Sequence, residues 1–145
     1  MSAFTQVHTS KRFKLNTTRK QDGNEFIYLK GVTSTVANDA VTYDELGVST
    51  LLAANAIGPV AFAMAAVDAS TKFGWYQIAG NATANIVANS ADNTRVGRET
   101  TDGKVGDGRA AGDEIYNCVQ RVATTGAASG AVQIRYPFVD DVNGA

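Results

Sequence analysis

The run Gly103-Lys104-Val105-Gly106-Asp107-Gly108-Arg109 is the segment whose residue types most invite a chemical reading. Closely spaced glycines let backbone N–H groups wrap a phosphate. The spacing argues against it here: no Gly-Lys-Ser/Thr follows a four-residue gap, and no helix is expected behind the run. It reads as a surface loop between strands. The acidic pairs Asp44-Glu45, Asp113-Glu114 and Asp140-Asp141 offer carboxylates for acid–base work. Neighbours on a strand point to opposite faces, so adjacent acids rarely serve one substrate, and these read as solvated surface. The alternating acidic pattern of a calcium loop is absent.

His8 and Cys118 are single residues of their kinds, which excludes a Cys/His zinc site. A histidine-based triad is nearly excluded, because His8 sits in a polar N-terminus. Cys118, between apolar neighbours in an expected strand, reads as a small buried hydrophobe. Trp75-Tyr76 would make a sugar or base platform if exposed, but adjacent strand residues face opposite ways, and a core tryptophan is expected. These residues predict a protein that is not an enzyme and carries no metal or cofactor.

The cations Lys11, Arg12, Lys14, Arg19 and Lys20, with Phe13 and Leu15 among them, form the one cluster with a functional reading. Residues 1–24 hold these five cations against Asp22, a net +4, while the rest holds eight cations and thirteen carboxylates, a net −5. A basic arm on an acidic body is expected to dock on something acidic. Nucleic acid is not the expected partner, since the body would repel phosphates. Phe13 and Leu15 would be the apolar anchors. The arm is expected to be mobile in the free protein, so that deleting residues 2–21 should leave a folded body.

The elements that must carry these residues read as strands punctuated by turns. With 145 residues and 44% hydrophobic content, the chain is expected to form one globular domain, residues 25–145, behind the arm 1–24. Residues 25–30, 40–43, 74–80, 82–87, 114–122 and 131–136 have strand composition, with 48–54 a weaker candidate and Pro137 expected to end the last strand. Residues 60–67 alternate large and small apolar side chains, which predicts a strand buried on both faces with close backbone approach on the alanine side. A bulge near Cys118 would reconcile the two apolar phases of 114–122. Eight or so short strands at about ten-residue spacing predict an all-β barrel or sandwich. The apolar stretch Leu51 to Val67 is broken by Asn55 and Gly58-Pro59, and no membrane span is expected.

The phrases Asp22-Gly23-Asn24-Glu25-Phe26-Ile27-Tyr28-Leu29-Lys30-Gly31, Asn38-Asp39-Ala40-Val41-Thr42-Tyr43-Asp44, Ala61-Phe62-Ala63, Gly74-Trp75-Tyr76-Gln77-Ile78-Ala79-Gly80 and Ile134-Arg135-Tyr136-Pro137-Phe138-Val139 occur in this order. In this the chain resembles the capsid decoration, or cement, proteins of tailed bacteriophages, over residues 22 to 139. The resemblance implies a single small β-barrel, β-tulip or jelly-roll-like domain with an extended N-terminal arm. It implies a structural virion protein on the outside of an icosahedral head, made in the host cytoplasm before assembly. Such a protein binds and cements neighbouring subunits of the major capsid protein, as a trimer first and a dimer second. The family offers no catalytic residues, and its shell contact implies a role for the arm. The alternative is a carbohydrate-binding or head-fibre-base module on the virion surface.

Overall fold

A computed structural model of the chain describes residues 2–108 and 113–141. After a 3₁₀ turn at Ser2–Thr5 come ten strands: β1 (Thr18–Gln21), β2 (Asn24–Lys30), β3 (Ala40–Tyr43), β4 (Ser49–Leu51), β5 (Gly58–Ala63), β6 (Phe73–Ile86), β7 (Thr94–Arg98), β8 (Val105–Gly106), β9 (Asp113–Gln120) and β10 (Ala128–Asp141). The all-β expectation holds: the strands make one mixed sheet, ordered β1-β2-β6-β8-β7-β9-β10-β5-β3-β4. Because β6 also pairs with β5 and β10, six strands close into a ring, β6-β8-β7-β9-β10-β5.

Each ring strand sends apolar side chains into one cluster, among them Phe62, Ile86, Val96, Val105, Ile115 and Val132, all at most 2% exposed. Cys118 lies in this cluster, and burial pushes its thiol up to about 12. Alternation along β5 works as its composition predicts. Val60 and Phe62 enter the ring cluster, while Ala61 and Ala63 join Ile27, Leu29, Val41 and Tyr76 in a second cluster.

The strand ends at Ala63 rather than Val67, because the chain turns there to drop Val67 into a crevice made by two glycines. A Cβ on Gly31 would lie 2.8 Å from the Ala69 carbonyl oxygen and would also strike the Val67 carbonyl and, at 2.5 Å, Val67 Cγ1. A Cβ on Gly74 would meet chiefly the Val67 side chain, 2.7 Å from Cγ2.

Other boundaries differ for identifiable reasons. Residues 74–80 and 82–87, expected as two strands, are the single strand β6, bent at Gly80 with φ 102°. Its first half pairs with β2 and its second with β10. A side chain at Gly80 would run into the Asn24 amide. Pro137 does not end pairing. Register shifts between Ile134 and Phe138, where Tyr136 takes φ 51°, so the proline sits in a bulge where no ladder N–H is needed. The matching irregularity on β9 falls at Asn117, φ 58°, beside Cys118. The polar stretch 93–101 supplies β7, and the glycine run supplies the two-residue β8. Both strands have weak composition and form because the ring needs them to close.

Gly31→Ala is expected to cost about 1–3 kcal/mol by overpacking against rigid backbone. Gly74→Ala should cost a similar amount, but shrinking its neighbour with Val67→Ala should relieve it. Denaturant unfolding of the singles and doubles checks this: Val67→Ala is expected to relieve most of the cost of Gly74→Ala and only part of that of Gly31→Ala, whose clashes with the Val67 and Ala69 carbonyls remain.

Candidate functional site

Strand β2 reads Asn24-Glu25-Phe26-Ile27-Tyr28-Leu29-Lys30, and its five central residues are all buried. Ile27 and Leu29 face the second cluster, while Phe26 and Tyr28 face the other way with Trp75 of β6. That outer aromatic face needs a cover, and the N-terminal segment supplies it. Phe4 stacks on Phe26 at 4.1 Å between ring centres and meets Trp75 edge-on at 5.2 Å. Phe13 stands edge-on to Tyr28 at 5.2 Å and tilted on Trp75 at 5.3 Å. Such aromatic pairs are worth about 0.5–1.5 kcal/mol each beyond area burial.

Hydrogen bonds tie the backbone of the same segment down. His8 and Phe73 exchange N–H···O bonds of 2.8 and 2.9 Å. The Asn16 N–H donates to the Tyr28 carbonyl at 2.9 Å and the Tyr28 N–H to the Thr17 carbonyl at 2.9 Å. Residues 18–21 then pair with β2 as β1, Thr18 opposite Ile27 and Gln21 opposite Asn24. The expected arm is therefore packed on the domain it precedes. Removing residues 2–21 would strip an edge strand and uncover Phe26, Tyr28 and Trp75, so a folded truncated body is no longer the expectation.

The Tyr28 hydroxyl organises the centre of this face. It accepts from the Arg12 N–H at 3.2 Å and lies 2.8 Å from His8 Nδ1. Burial and the nearby Arg12 guanidinium both lower the pKa of His8, in that order of importance.

Above these groups lies an open groove of about 550 Å³ lined by Phe4, Gln6, His8, Arg12, Phe13, Arg19 and Trp75. The Arg19 guanidinium carbon sits 5.4 Å from the centre of the Phe13 ring. Lys11, Arg12, Lys14, Arg19 and Lys20 are all exposed. Among the described residues the ion pairs are Asp68–Lys72, Arg95–Glu114, Arg98–Asp102 and Asp39–Lys104, and none uses a cation of the N-terminal segment. Arg12 and Arg19 thus set positive charge on the lip of an aromatic floor, while Lys20 lines a separate groove with Gly23, Glu25 and Tyr136.

Phe13 and Leu15 are placed differently from the expectation. Both are half-buried against the protein's own surface, Phe13 on Tyr28 and Trp75, and Leu15 packed so closely on Gly47 that a Cβ there would lie 2.5 Å from its own. They present one side to a partner, not a whole side chain. No motif in the sequence marks Phe4 or Gln6 as a groove residue, and His8 and Trp75 line the groove instead of forming a triad or an exposed platform. The unbroken apolar run Phe26-Ile27-Tyr28-Leu29 was the available signal, since a strand buried on both faces requires a second cover.

The other candidates resolve into structural roles. The Gly108 N–H donates to the Glu99 carboxylate, so a carboxylate of the chain itself occupies the backbone cradle. Arg109 lies outside the described residues. Asp44 Oδ1 accepts from the Leu46 and Val48 N–H groups at 3.0 Å, and both Asp113 oxygens accept from the Asn55 N–H at 3.0 Å. Trp75 and Tyr76 are both buried, on opposite faces of β6. Tyr136 is 50% exposed, and its hydroxyl donates to the Glu25 carboxylate, which raises the tyrosine's pKa. Among the described residues no group of three or more His, Cys, Asp or Glu converges as a metal site would require. Comparison with family models, with curated proteins and with solved structures finds no match to this chain.

The histidine makes the cover pH-dependent. Its folded pKa lies below 6.5, so the unfolded chain binds the proton more readily, and the contribution of His8 is present above 6.5 and lost as pH falls through the folded value. Trp75 fluorescence should therefore report loosening of the segment as pH falls below about 6.5. His8→Gln, which keeps a polar partner for Tyr28 but cannot titrate, should abolish that change.

Proposed function

We propose that this chain is a structural capsid decoration protein that docks on neighbouring subunits of an icosahedral shell through its basic rim. The observation that carries the reading is the set of five exposed cations, Lys11, Arg12, Lys14, Arg19 and Lys20, all outside the ion pairs found among the described residues, with Arg12 and Arg19 lining the aromatic groove. Its counterpart would be a surface carrying carboxylates beside an apolar side chain. The edge strand β1, whose outer side is unpaired among the described residues, adds main-chain groups beside these cations. Exposed ion pairs contribute about 0–1 kcal/mol each, and repetition over a lattice supplies the rest as avidity. The sequence resemblance to cement proteins points the same way.

The reading includes self-association, as a trimer or a dimer. The basic rim would repel its own copy. An uncharged row on the sheet would not: Phe138 of β10 stands opposite Tyr116 of β9 and Pro59 of β5. Phe138 and Tyr116 are 40% and 38% exposed. The carbohydrate-binding alternative needs an exposed aromatic platform. Of the three aromatics it could use, Trp75 and Tyr76 are buried and Tyr136 is engaged by Glu25.

Reversing three charges outside the aromatic network, Lys11→Glu with Lys14→Glu and Lys20→Glu, tests the rim while leaving its floor intact. Binding to purified filled shells, read by co-sedimentation, should weaken about tenfold or more, and wild-type binding should fall moderately with added salt. Unchanged binding by the triple variant would sink the docking reading. Sedimentation of the free protein over a concentration range tests self-association. Phe138→Asp should shift it toward the monomer, and a wild-type chain that is monomeric both free and on the shell removes that part of the reading.

A further inference from the structure

Val105 of β8 pairs with Ile86 of β6 in parallel, the only parallel pair of named strands among the described residues. Both side chains enter the ring cluster. The residues just before them, Asn85 and Lys104, therefore face the opposite side together, one strand spacing apart, about 4.8 Å. Asp39 lies across this pair. Its Oδ1 accepts from Lys104 Nζ at 2.6 Å and from Asn85 Nδ2 at 2.8 Å.

The carboxylate is firmly held. Asp39 is 1% exposed, its Oδ2 accepts from the Val36 N–H at 3.2 Å, and its own N–H donates to the Val36 carbonyl at 3.1 Å. Asn85 is held as well, since Nδ2 also donates to the Ala37 carbonyl at 2.9 Å and its backbone N–H to the Asn38 carbonyl at 3.0 Å. An amine, a carboxamide and a buried carboxyl bridging the two are the groups that an intramolecular amide exchange requires. Holding them in place replaces an improbable encounter by a local one.

We propose that Lys104 and Asn85 join in an isopeptide bond, with Asp39 as the proton carrier. Nζ gives one proton to Asp39 Oδ1 and, as the free amine, attacks Cγ of Asn85. The Cγ–Nζ bond forms, and a second Nζ proton passes to Nδ2. The Cγ–Nδ2 bond breaks and ammonia leaves. Asp39 ends as a neutral carboxylic acid beside the new amide, and nothing is oxidised or reduced. The exchange replaces an ion pair whose carboxylate is buried by neutral hydrogen-bonded groups. The bond would staple β6 to β8, the shortest strand of the ring and one of composition too weak to hold its place alone. This inference stands whether or not the basic rim docks on a shell.

The mass of the intact, folded full chain, read under denaturing conditions, tests it. The expected value is the sequence mass less one ammonia, with a branched proteolytic peptide joining the segments that carry Asn85 and Lys104. Asp39→Asn and Lys104→Arg should each restore the full sequence mass, with circular dichroism reporting that the fold is kept. A folded wild-type chain that retains its full sequence mass after prolonged incubation overturns the proposal, whatever the variants do. Loss of ammonia without the branch, as a succinimide would give, overturns it too. Loss of water with the branch at Asp39 overturns the assignment of Asn85 as acceptor.

Discussion

Strands β2 and β6 carry an apolar face turned away from the inner clusters, and the molecule is arranged around keeping water from it. Phe26 and Tyr28 on β2 and Trp75 on β6 point away from the rest of the sheet, and each is at most 4% exposed. Full burial of an aromatic side chain is worth about 1.5–3 kcal/mol, a large part of what holds a domain of this size together. The layer that achieves it is the N-terminal segment, not a second sheet or a helix. Its cations follow from this geometry. Phe4 and Phe13 turn inward, so Lys11, Arg12, Lys14 and Arg19 are left at the rim, on backbone fixed by the His8–Phe73 and Asn16–Tyr28 bonds. A run that looks like a tail becomes a charged surface of defined shape.

The ring depends on a different constraint, the sharing of β6. One fourteen-residue strand pairs with β2, β5 and β10 in turn, which requires it to change partners part-way along. Gly80 makes that possible with a positive φ that side chains rarely adopt. The bulges at Asn117 and Tyr136 do the same for β9 and β10, letting Val139 and Ile115 return to the interior beyond the irregularity. Tyr136 is turned outward by the same bulge, toward Glu25 at the start of β2. The Glu25–Tyr136 contact thus links the ring to the aromatic layer.

Where the ring is weakest, polar chemistry replaces apolar packing. β8 has two residues and β7 carries Val96 as its apolar anchor. Across the β6–β8 seam, Asn85 and Lys104 are joined through the Asp39 carboxylate, which is withdrawn from solvent. The same acidic residue caps the turn before β3, where the Ala40 N–H donates to the Gly103 carbonyl at 2.9 Å. A turn, a strand end and a glycine-rich loop far apart in the chain are held at one point by one side chain.

The sequence alone determined the class of fold, the strands of strong composition, the two-faced burial of β5, the burial of Cys118 and the segregation of charge. Each depends on residues close together in the chain, through alternation, branching or local net charge. Only the tertiary structure decided that residues 2–21 are a cover, that Trp75 forms the floor of a groove, that Pro137 lies inside a strand, and that Asp39 reaches both Asn85 and Lys104. Weakly patterned β7 and β8 belong to the same group, because they exist through the partners that closure of the ring supplies. These are contacts between residues tens of positions apart, and no local periodicity encodes them. They are selected by the need to bury a second apolar face and to satisfy a buried carboxylate, which act only once the sheet has assembled.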